Sequence, residues 1–121
     1  YAPYGGPDPA TPGIAPGVLA DVVSIPPHDL DRLEQGLRDH QPACLIIEGT
    51  GGHWGQVPIT GAYLRAAREL ARRHDVLFIL DEVITGFRVA PGGAQQVYDL
   101  RPDLTTLAKI LAGGLPGGAL V

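Results

Sequence analysis

A single cysteine, Cys44, is all the thiol this chain carries, so no internal disulfide can brace it. It sits between Ala43 and Leu45 in an apolar run with no neighbouring base, which argues against a thiol nucleophile and for a reducing, cytoplasmic setting. Charge is equally sparse, at 18% of residues and a net −4 with no basic run. That excludes the clustered lysine and arginine of a nucleic-acid or polyanion surface. No apolar stretch approaches the roughly 18 residues of a membrane span, and the opening does not resemble a signal peptide. His28, His40, His53 and His74 are scattered and form neither HxxH nor HExxH, so no metal is expected.

What the chain has in plenty is glycine, 17 residues, and proline, 12 residues, in a length of 121. That is too much of both for a helical bundle, and it suits an α/β domain with long loops. The opening Tyr1 and the closing LPGGALV both read as cuts, so the chain is expected to be a window onto a larger domain.

Residues 1–16 (YAPYGGPDPATPGIAP) show no apolar period and read as loop, with the Pro/Gly-rich character extending to about residue 20. A short strand is expected over Val22–Ile25. The stretch DLDRLEQGLRDH predicts a helix capped by Asp29, with Leu30, Leu33 and Leu37 on one face. ACLIIE lacks alternation and predicts a strand buried on both faces, spilling into the glycine-rich turn GTGGHWGQVP. Thr60 is the expected cap of the next helix, which places Tyr63, Ala67, Leu70, Ala71 and His74 on one side and allows Arg65–Glu69 and Glu69–Arg73 pairs. VLFIL predicts a second buried strand ending at Asp81, GGAQQVYDL a short helix, and LTTLAKIL either strand or helix. Strands alternating with helices predict a mainly parallel sheet covered by helices, a three-layer α/β/α sandwich. Ligands in such sheets collect beyond the carboxyl ends of the strands, here Glu48 with the glycines after it, and Asp81–Glu82.

Two features at those ends carry chemistry. Asp81 and Glu82 interrupt an apolar region that resumes at Val83 and Ile84. A carboxylate embedded there needs a cation or several donors, or else one acid simply caps the following turn. Lys109 follows Asp81 by 28 residues, flanked by Leu107, Ala108, Ile110 and Leu111. A lysine held in an apolar, partly dry site becomes an imine-forming amine, and an acid with such a lysine is the pair that pyridoxal phosphate requires. A surface lysine on an amphipathic segment is the alternative. Nucleotide binding finds little support, since GTGGHWG is not GxGxxG and GGLPGG lacks a following lysine.

The segment LDEVITGFRVAPGGAQQVYDLRPDLTTLAKILAGGLPGGAL resembles the class III, fold-type I pyridoxal-phosphate aminotransferases, and within them most closely the glutamate-1-semialdehyde aminomutases. The resemblance runs through nearly the whole chain and is strongest from Ala43 to Leu120. It implies that residues 1–121 are part of a large cofactor-binding domain. Asp81 would hold the pyridine nitrogen, Val83 would lie on the ring face, and Lys109 would carry pyridoxal 5'-phosphate covalently and move protons. Glu48 would support the site from the preceding strand. It also implies a homodimer with the site at the interface and a small amino or oxo substrate, with neither nucleic acid nor membrane as partner. Gly49 stands where the family usually has proline. His53-Trp54 matches neither the acid common in class III nor the amide of the aminomutases, so His53 is either a substrate contact or a loop residue. Gly118, beside Gly117, replaces a bulkier residue. An aminotransferase acting between two substrates, or a scaffold that has kept the fold, are the alternatives.

Overall fold

The structure, a computed structural model, describes residues 13–51 and 57–121. The elements are helix α1 (Pro16–Ala20), helix α2 (Leu30–His40), strand β1 (Cys44–Glu48), the two-residue β2 (Val57–Pro58), helix α3 (Gly61–Arg73) and strand β3 (Leu77–Asp81). Helix α4 (Gly93–Tyr98), strand β4 (Leu104–Leu107), a 3-10 turn (Lys109–Ala112) and strand β5 (Ala119–Leu120) complete them. The sheet runs β1-β3-β4-β5, with the first two pairings parallel and β5 antiparallel to β4. This is an α/β fold with a mainly parallel central sheet flanked by helices, the class that the sequence pattern predicts.

Both long helices begin where their caps predict. The Asp29 carboxylate accepts the Arg32 N–H at 2.9 Å, and the Thr60 hydroxyl accepts the Tyr63 N–H at 3.2 Å. Their apolar faces meet: Leu33 and Leu37 pack with Tyr63, Leu64, Ala67 and Leu70 over Phe78 and Leu80 of β3. Each large aliphatic or aromatic side chain so buried contributes about 1.5–3 kcal/mol. On the polar side of α3 the expected pairs are exchanged. Glu69 takes two bonds from Arg72, which hold its carboxyl below the usual range, while Arg65 donates to the Tyr98 carbonyl and Arg73 reaches Glu34. Tertiary acceptors lie within reach of Arg65 and Arg73, and an exposed four-apart pair is worth too little to hold them back.

Three further expectations need correction. Val22–Ile25 forms no strand: it pairs with none of the described strands and runs into Pro26-Pro27, and Val22 and Val23 are exposed. The Pro/Gly-rich opening does not stay loop as far as residue 20, since Pro16 sits at the first helical position, preset for it, and α1 follows. The strands are not buried on both faces. Helices α2 and α3 cover the side carrying Leu45, Ile47, Phe78 and Leu80. On the other side Ile46 is 57% and Leu77 49% exposed, because no described helix lies over it.

Candidate active site

LTTLAKIL resolves into both of its readings. Thr105 and Thr106 lie in β4, and the chain breaks at Ala108 into the 3-10 turn that starts at Lys109. Parallel pairing aligns Glu48 with Asp81 and Asp81 with Thr106, so β1, β3 and β4 end side by side. Lys109 follows three residues after Asp81's partner, which places acid and amine at the carboxyl ends of adjacent strands.

Asp81 is half-buried, and its carboxylate is fixed through one oxygen. Oδ1 accepts the Val83 N–H at 2.9 Å and the Thr106 hydroxyl at 3.1 Å. Neither bond falls on Oδ2, which accepts no hydrogen bond among the described residues. The first bond also pins Val83, itself half-buried, directly after the strand. Glu48, beside Asp81 in register, buries Oε2 with no hydrogen-bond partner among the described residues. An orphaned carboxylate oxygen is costly unless a donor reaches it.

Lys109 holds a left-handed backbone, φ +50°, that non-glycine residues seldom adopt. It is exposed, and Ile110 and Leu111 beside it are each 40% exposed, so the apolar enclosure expected from the sequence is not formed by the described residues. The turn directs those neighbours outward and leaves the amine uncovered. Every ion pair among the described residues involves other groups: Arg32, Arg38, Arg68, Arg72, Arg73 and His74 with nearby carboxylates.

The two adjacent acids have separate tasks. Glu82, 1% exposed, accepts the Thr85 hydroxyl at 2.7 Å and the N–H groups of Ala94 and Gln95 at 2.6 and 3.0 Å. It takes two N–H groups of the first turn of α4 and so ties that turn back to the end of β3 across residues 83–92. Three donors substitute for the missing cation. Glu82→Ala is expected to cost about 3 kcal/mol by leaving these donors unpaired. Urea unfolding of the full-length protein reads it, and an unchanged midpoint would show that water replaces the carboxylate without loss.

Gly49, the departure from proline, has a local reason. Its N–H donates to the Asp81 carbonyl at 3.0 Å, a bond proline cannot make, and an added Cβ would stand 2.7 Å from that of Ala94. Asp103 was not singled out in the sequence, yet it accepts the Phe78 N–H at 2.8 Å and Arg68 at 2.7 Å, tying the start of β4 to β3 and α3. His53 lies outside the described residues. His28 contacts the Pro58 carbonyl and the Tyr63 ring, and no metal-competent cluster of three occurs among the described residues.

Two open grooves lie away from this end. One, of about 290 Å³, is lined by Arg65, Arg68, Arg72 and Arg101; Arg65, Arg68 and Arg72 are engaged with chain acceptors. The other, of about 350 Å³, lies by Pro42 and Val76 at the amino ends of the strands. Neither groove is lined by Asp81, Glu48 or Lys109, which lie at the carboxyl ends of the strands.

Similar proteins agree on the family. The family described as "Aminotransferase class-III" matches residues 21–121. A glutamate-1-semialdehyde 2,1-aminomutase of Desulfotalea psychrophila is 44% identical over 113 residues, 92% of this chain and 26% of that protein. An omega-transaminase structure from Sphaerobacter thermophilus superposes with a TM-score of 0.82 at 37% identity, covering 93% of this chain and 26% of that one. A structure described as a transaminase with PLP bound gives 0.79 at 33% identity, covering 91% and 26%. The chain thus spans about a quarter of the length of the relatives it matches. By sequence and by fold, the chain belongs to the class-III aminotransferase family.

Proposed function

We propose that the full-length protein is a pyridoxal-phosphate-dependent enzyme of amino-group transfer, acting as an aminomutase that converts glutamate-1-semialdehyde to 5-aminolevulinate. The observation that carries the reading is the placement of Asp81 and Lys109 at the ends of adjacent parallel strands, joined through Thr106. The aminomutase form rests on the likeness to the relative of that name. The donor set fits the cofactor. One carboxylate oxygen is fixed and the other left for a ligand, a second carboxylate oxygen is orphaned, and an amine is free of carboxylate partners among the described residues.

When bound, pyridoxal phosphate supplies a carbonyl that takes up amino groups and a protonated ring that accepts electrons from the substrate carbon. Asp81, through Oδ2, would hold the proton on the ring nitrogen. Val83, anchored by its own N–H on Asp81, would offer its side chain to the face of the ring. Lys109 Nζ would hold the cofactor covalently and, when not so engaged, would serve as the base and acid that move a proton between substrate carbons. Glu48 steadies this end from β1. The full-length protein is a cytoplasmic homodimer with the site between subunits.

Borohydride treatment of the full-length protein with pyridoxal phosphate is expected to bleach its yellow band and leave the reduced cofactor on the peptide carrying Lys109. Sound folding without colour would overturn the reading and favour a scaffold. Given glutamate-1-semialdehyde alone, an aminomutase yields 5-aminolevulinate catalytically. An oxo product accumulating in step with aminated cofactor would instead identify a transaminase, the reading that the 0.82 TM-score to an omega-transaminase favours.

A further inference from the structure

Asp81 has two oxygens, and β4 distinguishes them. Thr106 is its direct partner in the parallel ladder, on the same face of the sheet, and the Thr106 hydroxyl donates to Oδ1 at 3.1 Å. The Val83 N–H lands on the same oxygen at 2.9 Å from the opposite side along the chain. A backbone N–H can only donate, so Oδ1 is an acceptor already engaged twice. The neighbouring Thr105 is buried and takes a weaker contact from Gln95 at 3.4 Å on the helical side of the sheet. Of the two threonines, only Thr106 reaches the candidate site.

We propose that Thr106 is a positioning residue for the cofactor, its hydroxyl holding Asp81 so that Oδ2 faces the ring nitrogen. This rests on the functional reading above. A carboxylate held by Val83 alone has one donor on one oxygen and can still tilt about that contact. With Thr106 added, a second donor, from β4, joins the one in the turn after β3 and restrains the carboxylate from another direction. The effect reaches the reaction only through Asp81, since Thr106 itself touches neither the substrate nor the reacting carbon.

The test is a double-mutant cycle on the full-length protein, read as the equilibrium dissociation constant for pyridoxal phosphate and as kcat and KM separately. Thr106→Val, which keeps the β-branched shape, is expected to weaken cofactor binding about tenfold, as loss of a hydroxyl bond to a carboxylate implies. It should lower kcat with KM little changed. Thr106→Ser should restore both to within about twofold, because it keeps the donor. In an Asp81→Ala background, which has no acceptor, Thr106→Val should change binding by less than about twofold. The same tenfold loss in that background would make Thr106 a merely structural residue and overturn the inference, as would wild-type behaviour of Thr106→Val. Wild-type protein that takes up no cofactor overturns the functional reading itself, and with it this one.

Discussion

Lys109→Ala in the full-length protein is expected to lose amino transfer by about a thousandfold or more, since on the proposed reading the residue that moves the proton is gone. Bound cofactor in the variant should no longer be fixed by borohydride. Steady-state turnover with the preferred substrate reads the first effect and mass spectrometry the second. The backbone makes a further, opposite expectation. At φ +50° a Cβ is unfavourable by about 1 kcal/mol, a strain that glycine does not feel. Lys109→Gly should therefore unfold at the same denaturant midpoint as the parent or at a higher one, while being as inactive as Lys109→Ala. A group retained for structure would show the reverse, losing stability when removed. Turnover within about tenfold of the parent in Lys109→Ala would exceed what loss of a proton-transfer group permits and sink the assignment.

How far the sequence announces this site depends on whether the signal is local. Caps and helical faces are local, so Asp29, Thr60 and the Leu33–Leu37 and Tyr63–Ala71 faces are found where their spacing places them. Asp81 and Lys109 are visible because polar groups interrupt apolar runs, and the DEVITGFR and PDLTTLAK stretches carry the family likeness. The division of labour between Asp81 and Glu82 is not local. It depends on α4 returning 11 residues later to present the Ala94 and Gln95 N–H groups to Glu82. The sequence left open which acid, if either, caps the following turn; the fold gives that task to Glu82 and leaves Asp81 bonded to Val83 and Thr106. Thr106 was hidden for a related reason, since its importance comes from register with β3 and its own neighbours along the chain give no hint of it. The error over strand burial has the same root. An unbroken apolar run states that a strand tolerates cover on both faces, whereas the cover itself is supplied by other segments, and α2 and α3 supply it on one face only.

Asp81→Asn separates holding the cofactor from using it. The substitution is nearly isosteric, and Val83's N–H requires an acceptor at the Oδ1 position, so the new amide oxygen stays there and the amide nitrogen takes the place of Oδ2. The Thr106 hydroxyl keeps its partner as well. The variant should therefore fold as the parent does and bind pyridoxal phosphate, with Lys109 still trapped by borohydride. What it lacks is the negative charge beside the ring nitrogen, and an amide N–H facing that nitrogen cannot stabilise a proton on it. The ring then accepts electrons poorly just when the substrate carbon gives up its proton, so the loss belongs to the transition state and not to docking. Turnover is expected to fall about 10²–10³-fold, the magnitude usual for removing one well-placed electrostatic group. Cofactor affinity should change far less. Equal losses in binding and turnover would mean that Asp81 only docks the cofactor, and normal turnover would remove it from the site altogether. Single-turnover measurement with saturating cofactor makes the distinction, because it reads the chemical step with the docking difference titrated away.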